Sequence, residues 1–239
     1  MKLDILAFAA HPDDAELSAA GTIIKHVRMG YKVGVVNLTR GELGTRGTPE
    51  LRDAEAAQAA KIMGLSVLEN LQFRDGYFVN DEEHRLRVIE MLRKYTPDIV
   101  LCNALHDRHP DHGRGSTLVS EACFYSGLRQ IKSFDVNGTP QHPFRPRAVY
   151  HYVQFHSLKP DFVVDITDVI DQKMEAIKCY NSQFFDPNSN EPETVIASKE
   201  YLNAVKARDM DNGRLIGTLY AEGFNKEREI GVNDITTLI

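Results

Sequence analysis

"LDILAFAAHPDDAELSAAG" spans residues 3–21, and its reading decides the fold. Leu3 to Ala9 is a short apolar run broken only by Asp4, as expected of a buried strand. Leu17, Ala20, Ile24 and Val27 then share one helical face. Between strand and helix, His11, Asp13, Asp14 and Glu16 crowd into "HPDDAE". The strand-then-helix pattern recurs. "KVGVVNL" (32–38) and "DIVLCNA" (98–104) read as further strands. Helical faces lie between them, at Ala56, Ala59, Ala60 and Met63, and at Val88, Met91, Leu92 and Tyr95. Such alternation predicts right-handed βαβ units: an α/β fold with a mostly parallel sheet flanked by helices. Ligands of open parallel sheets bind beyond the carboxyl ends of the strands.

The second half is more mixed. "RAVYHYVQF" (147–155) and "DFVVDI" (161–166) read as strands, and Ile170, Met174 and Ile177 mark a helix. A helix is expected from Ser198 to about Tyr220, interrupted near Gly213. The Pro/Asn-rich stretches "FDVNGTPQHPFRP" (134–146) and "FDPNSNEPET" (185–194) read as long loops that cover a site or make contacts. With no repeat or obvious linker, residues 1–239 are expected to form one α/β domain.

Composition excludes some partners. The chain is 42% hydrophobic and 26% charged with a net charge of −6, so no basic field invites nucleic acid. No stretch approaches the roughly 20 apolar residues of a membrane span, and the short, Asp4-bearing start does not read as a secretory signal. Cys102, Cys123 and Cys179 are far apart and odd in number, which fits buried thiols in a reducing cytoplasm better than disulfides.

"HDRHPDHGRGS" (106–116) follows strand 98–104 as "HPDD" follows strand 3–9. Two acidic–histidine clusters therefore meet on one sheet edge. The first offers His11 and Asp14 across a turn stiffened by Pro12; the second offers His109, Asp111 and His112. A His–Asp–His set drawn from both completes a three-ligand zinc site with an open position for water, whose pKa the metal lowers toward about 7. The other residues then acquire tasks. Asp13 can act as general base, and His109 can stabilise an oxyanion or protonate a leaving group. Asp111 can accept the other N–H of His109 and fix its tautomer. Either segment alone has a plainer reading, because Asp13 and Asp14 also suit a helix N-terminus. The pair of His-Pro-Asp tripeptides favours the metal. Glu16 stays open between a partner of a ligand and a first-turn charge.

"LTRGELGTRGTPELRDAEAAQ" (38–58) follows the second strand to the same edge, and Thr48-Pro49-Glu50 suits a helix start. Its arginines, Arg40, Arg46 and Arg52, are either solvated charges or clamps for a carboxylate or sugar hydroxyl. Asp75 is a turn residue before Gly76 or an acceptor for sugar hydroxyls. Arg108 either contacts substrate or pairs with an acid. His151 reads as a satisfied structural histidine more readily than as a site residue, and His26, His84 and His142 as surface residues.

"AHPDDAELSAAGTI" together with "HDRHPDHGRGS" resembles the PIG-L/LmbE-like zinc-dependent de-N-acetylases of N-acetylglucosamine conjugates. "TRGELGTRGT", "LQFRDGYF", "FVVDIT", "YNSQF" and "IGTLYAEGF" look like the branch that deacetylates N-acetylglucosaminyl malate in bacillithiol biosynthesis. The resemblance implies a Rossmann-like fold, often assembled into hexamers. It implies His11, Asp14 and His112 as ligands of zinc, with ferrous iron or another divalent metal as substitutes. It further implies Asp13 as base toward metal-bound water, His109 on the tetrahedral oxyanion with Asp111 as its partner, and Arg52 and Asp75 on the sugar conjugate. The expected partner is a small N-acetylated amino-sugar conjugate, deacetylated to the free amine and acetate.

Other N-acetylglucosamine conjugates and chito-oligosaccharides are alternative substrates. A nucleotide-dependent oxidoreductase is a rival on the same strand–helix pattern. However, the first βα turn carries "HPDDAELSAAG" where a dinucleotide fold needs glycines against a pyrophosphate. A non-catalytic metal- or sugar-binding module is a third reading.

Overall fold

The computed structural model describes residues 1–187 and 189–239. β1 (Ile5–Ala9) is buried along its whole length, which its unbroken apolar sequence permits because helices cover both faces of the sheet. Ile5, Ala7 and Ala9 point into one core, and Leu6 and Phe8 into the other. The chain continues through α1 (Asp14–Arg28), β2 (Val33–Thr39), α2 (Pro49–Met63), β3 (Val67–Phe73), α3 (Glu82–Tyr95), β4 (Ile99–Cys102), α4 (Pro110–Tyr125) and β5 (Ala148–Tyr152). Then come β6 (Phe162–Asp165), α5 (Ile170–Lys178), α6 (Lys199–Arg214) and β7 (Ala221–Lys226).

The strands form one seven-stranded sheet in the order β3-β2-β1-β4-β5-β7-β6. The first five are mutually parallel, and β7 is antiparallel to both of its neighbours. This is the expected α/β, Rossmann-like architecture. Local signals set the helix starts. Thr48 caps α2 by accepting from Leu51 N ahead of Pro49, and Asp81 caps α3 by accepting from His84 N.

Two strands were not foreseen. β3 lies at the sheet edge, where Glu69, Asn70 and Gln72 interrupt the apolar pattern that marks a central strand. β7 reads "AEGFNK", yet its Glu222 is only 1% exposed. α6 ends at Arg214, short of the expected Tyr220, and the chain then turns into β7. Within the 134–146 loop, Asp135 accepts from the backbone of Asn137 and Thr139 and closes a turn. Within 185–194, residue 188 lies outside the described residues. Among the described residues no helix is long and apolar enough to cross a membrane.

Glu222 has a cationic partner in the core, Lys173 Nζ at 2.8 Å, and the same ammonium lies 2.6 Å from Asp209. Glu222 also accepts from the backbone N–H of Gly21 (2.9 Å) and Thr22 (2.7 Å). The triad thus ties α5, α6 and β7 to α1, the helix that carries the first motif. Gly21 is required there, since a Cβ would stand 2.8 Å from Ile166. Removing the cation strands two buried carboxylates, a loss of about 3–5 kcal/mol for a pair broken on one side. Lys173→Met is therefore expected to lower the urea unfolding free energy by that order. A variant within about 1 kcal/mol of the parent would show that the triad contributes little.

Candidate active site

The carboxyl ends of β1, β2, β3 and β4 open onto a cavity of about 340 Å³ lined by His11, Asp13, Asp14, Arg52, Asp75, His109 and His112 among others. His11, Asp13 and Asp14 form the turn between β1 and α1. His109 and His112 sit at the start of α4, and Asp75 follows β3. The sheet thus brings together residues a hundred positions apart.

Asp14 is the point of convergence. His112 Nε2 stands 3.0 Å from its Oδ1, and His11 Nδ1 stands 3.5 Å from its Oδ2. The remaining nitrogen of each ring is tied to another carboxylate: His11 Nε2 to Asp75 at 3.0 Å, His112 Nδ1 to Asp107 at 2.6 Å. That pattern, a carboxylate behind each imidazole and the free nitrogens facing inward, is how proteins orient metal-ligating histidines. The donors, imidazole and carboxylate, suit zinc or ferrous iron. Ring nitrogens of His11, His109 and His112 also lie within 4.8 Å of one another, as do donor atoms of His11, Asp75 and Asp111. The second group is less available, because Arg114 Nη1 lies 2.5 Å from Asp111 and Leu43 N donates to Asp75.

Electrostatics follow from these contacts. Burial works to raise the Asp14 carboxyl, but the His112 charge and the contacts with both rings hold it well below the usual range. Burial likewise opposes the His112 cation, yet Asp14 and Asp107 lift its pKa to about 9. Burial would raise Asp75, but its hydrogen bond to His11 and the charge there hold it at about 2.

Asp13 occupies the N-cap position of α1 but makes no capping bond. Its φ of 118° is one a side chain rarely adopts, a strain of about 1–3 kcal/mol that persists only where surroundings enforce it. The outcome is that its carboxylate faces the pocket, where Oδ2 accepts from Arg52 Nη2 at 2.8 Å. Burial lifts the Asp13 carboxyl to about 6, despite the opposing charge of Arg52.

Several expected contacts differ. The Asp111 carboxylate does not accept from His109. It accepts from Gly76 N at 2.8 Å and pairs with Arg114, one turn along α4. The Asp111 backbone N–H, freed at the helix start, donates instead to His109 Nδ1 at 3.2 Å. The His109 tautomer is therefore set by the backbone, with Nε2 carrying the proton. Burial, then repulsion from His11 and His112, lowers its pKa. Arg52 and Asp75, expected on the sugar, have protein partners already: Asp13 for the first, His11 and Leu43 N for the second. Arg108 is at the rim, its guanidinium 4.9 Å from the Phe155 ring centre, and among the described residues it has no carboxylate partner. Arg40 pairs with Asp53 and Glu50 at the surface, while Arg46 is buried against Ser189.

His151 is satisfied, with Glu227 at 3.0 Å and the Asn103 carbonyl at 3.0 Å. His142 is exposed, and His26 and His84 are partly buried. Glu16 is buried, accepts from the Tyr180 hydroxyl at 3.0 Å and is raised to about 7 by burial, so it is no solvated first-turn charge. Asp107 is a site residue that the motifs do not mark; its signal is its place five residues before His112. Nor do the motifs mark Asn103, Gln154, Phe155 and Tyr201. Because Asp107 orients His112, Asp107→Asn is expected to weaken zinc binding about 10–100-fold, measured by chelator competition. An unchanged affinity would separate Asp107 from the centre.

The family described as GlcNAc-PI de-N-acetylase, PIG-L, matches residues 6–123, the span that holds both motifs. Diacetylchitobiose deacetylase of Thermococcus kodakarensis is 31% identical over 231 residues, covering 92% of this chain and 81% of the relative. 4-Oxalmesaconate hydratase of Pseudomonas putida is 30% identical over 74% of this chain and 73% of the relative. A probable N-acetyl-alpha-D-glucosaminyl L-malate deacetylase 2 of Bacillus subtilis is more distant, 27% identical over 77% of this chain and 84% of its own. Among solved structures, the conserved protein TT1542 of Thermus thermophilus superposes with a TM-score of 0.85 at 35% identity, over 97% of this chain and 98% of that one. Sequence and structure agree along nearly the whole length, and the chain belongs to the PIG-L de-N-acetylase family.

Proposed function

We propose that the chain hydrolyses the N-acetyl group of an N-acetylglucosamine conjugate. The observation that carries this reading is the Asp13–Arg52 pair set beside His11, Asp14 and His112 in one pocket. Deacetylase relatives aligned across most of the chain support it. His11, Asp14 and His112 would hold a divalent cation, which when bound supplies a Lewis acid that acidifies water.

The chain's own residues perform the rest. Asp13 takes a proton from the attacking water as its oxygen bonds to the amide carbon. Arg52 keeps Asp13 ionised and aimed. The oxyanion that forms accepts from His109 Nε2–H, a donor in the neutral imidazole, so no imidazolium is needed. As the C–N bond breaks, the proton held by Asp13 passes to the leaving nitrogen. Acetate and the free amine result. Thr45, Leu43 and Gln183 line the same pocket and would wall in the sugar.

For the aglycone, Arg108 favours an anion. Its guanidinium, which has no carboxylate partner among the described residues, suits a carboxylate at the rim, so N-acetylglucosaminyl malate is the first substrate to try and N,N'-diacetylchitobiose the neutral alternative. The free thiols Cys102, Cys123 and Cys179 suit a cytoplasmic setting. The hydratase relative gives a second reading, addition of water to an unsaturated polycarboxylate, which the same anion-friendly rim would serve.

Asp13→Asn is expected to lower kcat on the favoured conjugate by about 10²–10⁴-fold while zinc content is kept; full activity would remove Asp13 as base. Arg52→Met removes the charge that holds the Asp13 carboxyl down, so the acidic limb of the kcat/KM profile should move to higher pH. A limb that stays in place would show that Arg52 does not tune the base. Arg108→Met should abolish a preference for the malate conjugate over diacetylchitobiose. Turnover of neither conjugate, with hydration of 4-oxalmesaconate, would replace the deacetylase reading by the hydratase one.

A further inference from the structure

The Asp14 carboxylate is held by two buried side-chain amides that belong to neither motif. Asn103, just past the end of β4, is 1% exposed, and Gln154, just past β5, is 4% exposed. Asn103 Nδ2 donates to Asp14 Oδ2 at 3.0 Å, and Gln154 Nε2 donates to Asp14 Oδ1 at 3.0 Å. The His11 backbone N–H adds a third bond, to Oδ2 at 3.0 Å.

Neither amide can turn over. Asn103 Oδ1 accepts from Ala10 N at 2.8 Å, and Gln154 Oε1 accepts from Ala104 N at 3.0 Å. Asn103 Nδ2 also donates to Gln154 Oε1 at 3.0 Å, which locks the two amides to each other. Rotating either one would set an oxygen against the carboxylate. His151 Nδ1, 3.0 Å from the Asn103 carbonyl, braces the backbone behind them.

A carboxylate oxygen accepts at about two positions. Oδ2 is filled by Asn103 Nδ2 and His11 N, which leaves the His11 ring, its Nδ1 3.5 Å away, a charge contact there and no hydrogen bond. Oδ1 is half filled by Gln154, and its remaining lone pair faces His112 Nε2 at 3.0 Å. We propose that Asn103 and Gln154 are positioning residues for the cation: with the His11 N–H they occupy all but one of the acceptor positions of Asp14 and present the last, on Oδ1, as a single-oxygen ligand beside His112. This rests on the reading of His11, Asp14 and His112 as the ligand set. The amides touch neither cation nor substrate. They act through the direction of one oxygen, so their loss should be felt in cation affinity.

The test is zinc titration of the purified full-length protein, first stripped of metal, against a chromophoric chelator. Parent, Asn103→Leu and Gln154→Met are compared, with urea unfolding of the metal-free proteins alongside. Orienting partners of metal ligands are worth about 10–100-fold in affinity, and each variant is expected to lose zinc affinity by that factor. Gln154→Met, at the end of a strand, serves should Asn103→Leu fail to fold. A folded variant that unfolds earlier in urea but binds zinc within about twofold of the parent would overturn the inference, since a purely structural role moves stability alone. A parent that binds no zinc would take down the metal-centre reading on which the inference rests.

Discussion

The arrangement turns on one buried carboxylate, that of Asp14. It lies at the first turn of α1, yet the groups that bond to it come from the ends of β1, β4 and β5 and from the start of α4. An isolated buried carboxylate is costly enough that it would give up its charge. Here three N–H donors and two imidazoles surround it, and it stays ionised. The parallel sheet makes that possible. Adjacent parallel strands end at one edge, so side chains remote in sequence converge without any long loop having to be ordered.

The neighbouring Asp13 shows the opposite solution. Asp14 is stabilised as an anion by many donors, whereas Asp13 has one charged partner and a strained backbone. Two adjacent carboxylates are thereby pushed apart, one far below its usual pKa and the other up to about 6. Divergence of this kind separates a group that holds charge from one that exchanges a proton. Arg52 mediates it: without the guanidinium, burial would drive Asp13 higher still. His109 completes the set as a neutral donor whose tautomer the α4 backbone dictates.

Much of this was legible in the sequence, because the motifs carry their own geometry. "HPDD" and "HPDH" each follow an apolar run, so convergence at one sheet edge needed only the βα alternation. The unread parts share a physical cause. β3 and β7 are polar where strands are expected to be apolar, one because it lies at an edge, the other because Lys173 neutralises Glu222. Asp111 misled for a related reason: spacing placed it beside His109, but its side chain is taken by Arg114 and Gly76, and its backbone does the orienting instead. Asn103 and Gln154 look like ordinary polar residues after strands. Their significance lies in what stands opposite them, which no local pattern records. The family resemblance implies Arg52 and Asp75 on the sugar, whereas the structure binds them first to Asp13 and His11.

The central claim is that His11, Asp14 and His112 form the cation site, whereas the donor atoms within 4.8 Å of one another are those of His11, His109 and His112 on one side of the His11 ring and of His11, Asp75 and Asp111 on the other. A crystal of the zinc-loaded protein, with anomalous diffraction collected on both sides of the zinc absorption edge, separates the two. The account predicts one strong peak between His11 Nδ1, Asp14 Oδ1 and His112 Nε2. A peak on the His11 Nε2 side, between Asp75 and Asp111, or none at all in the pocket, would contradict it.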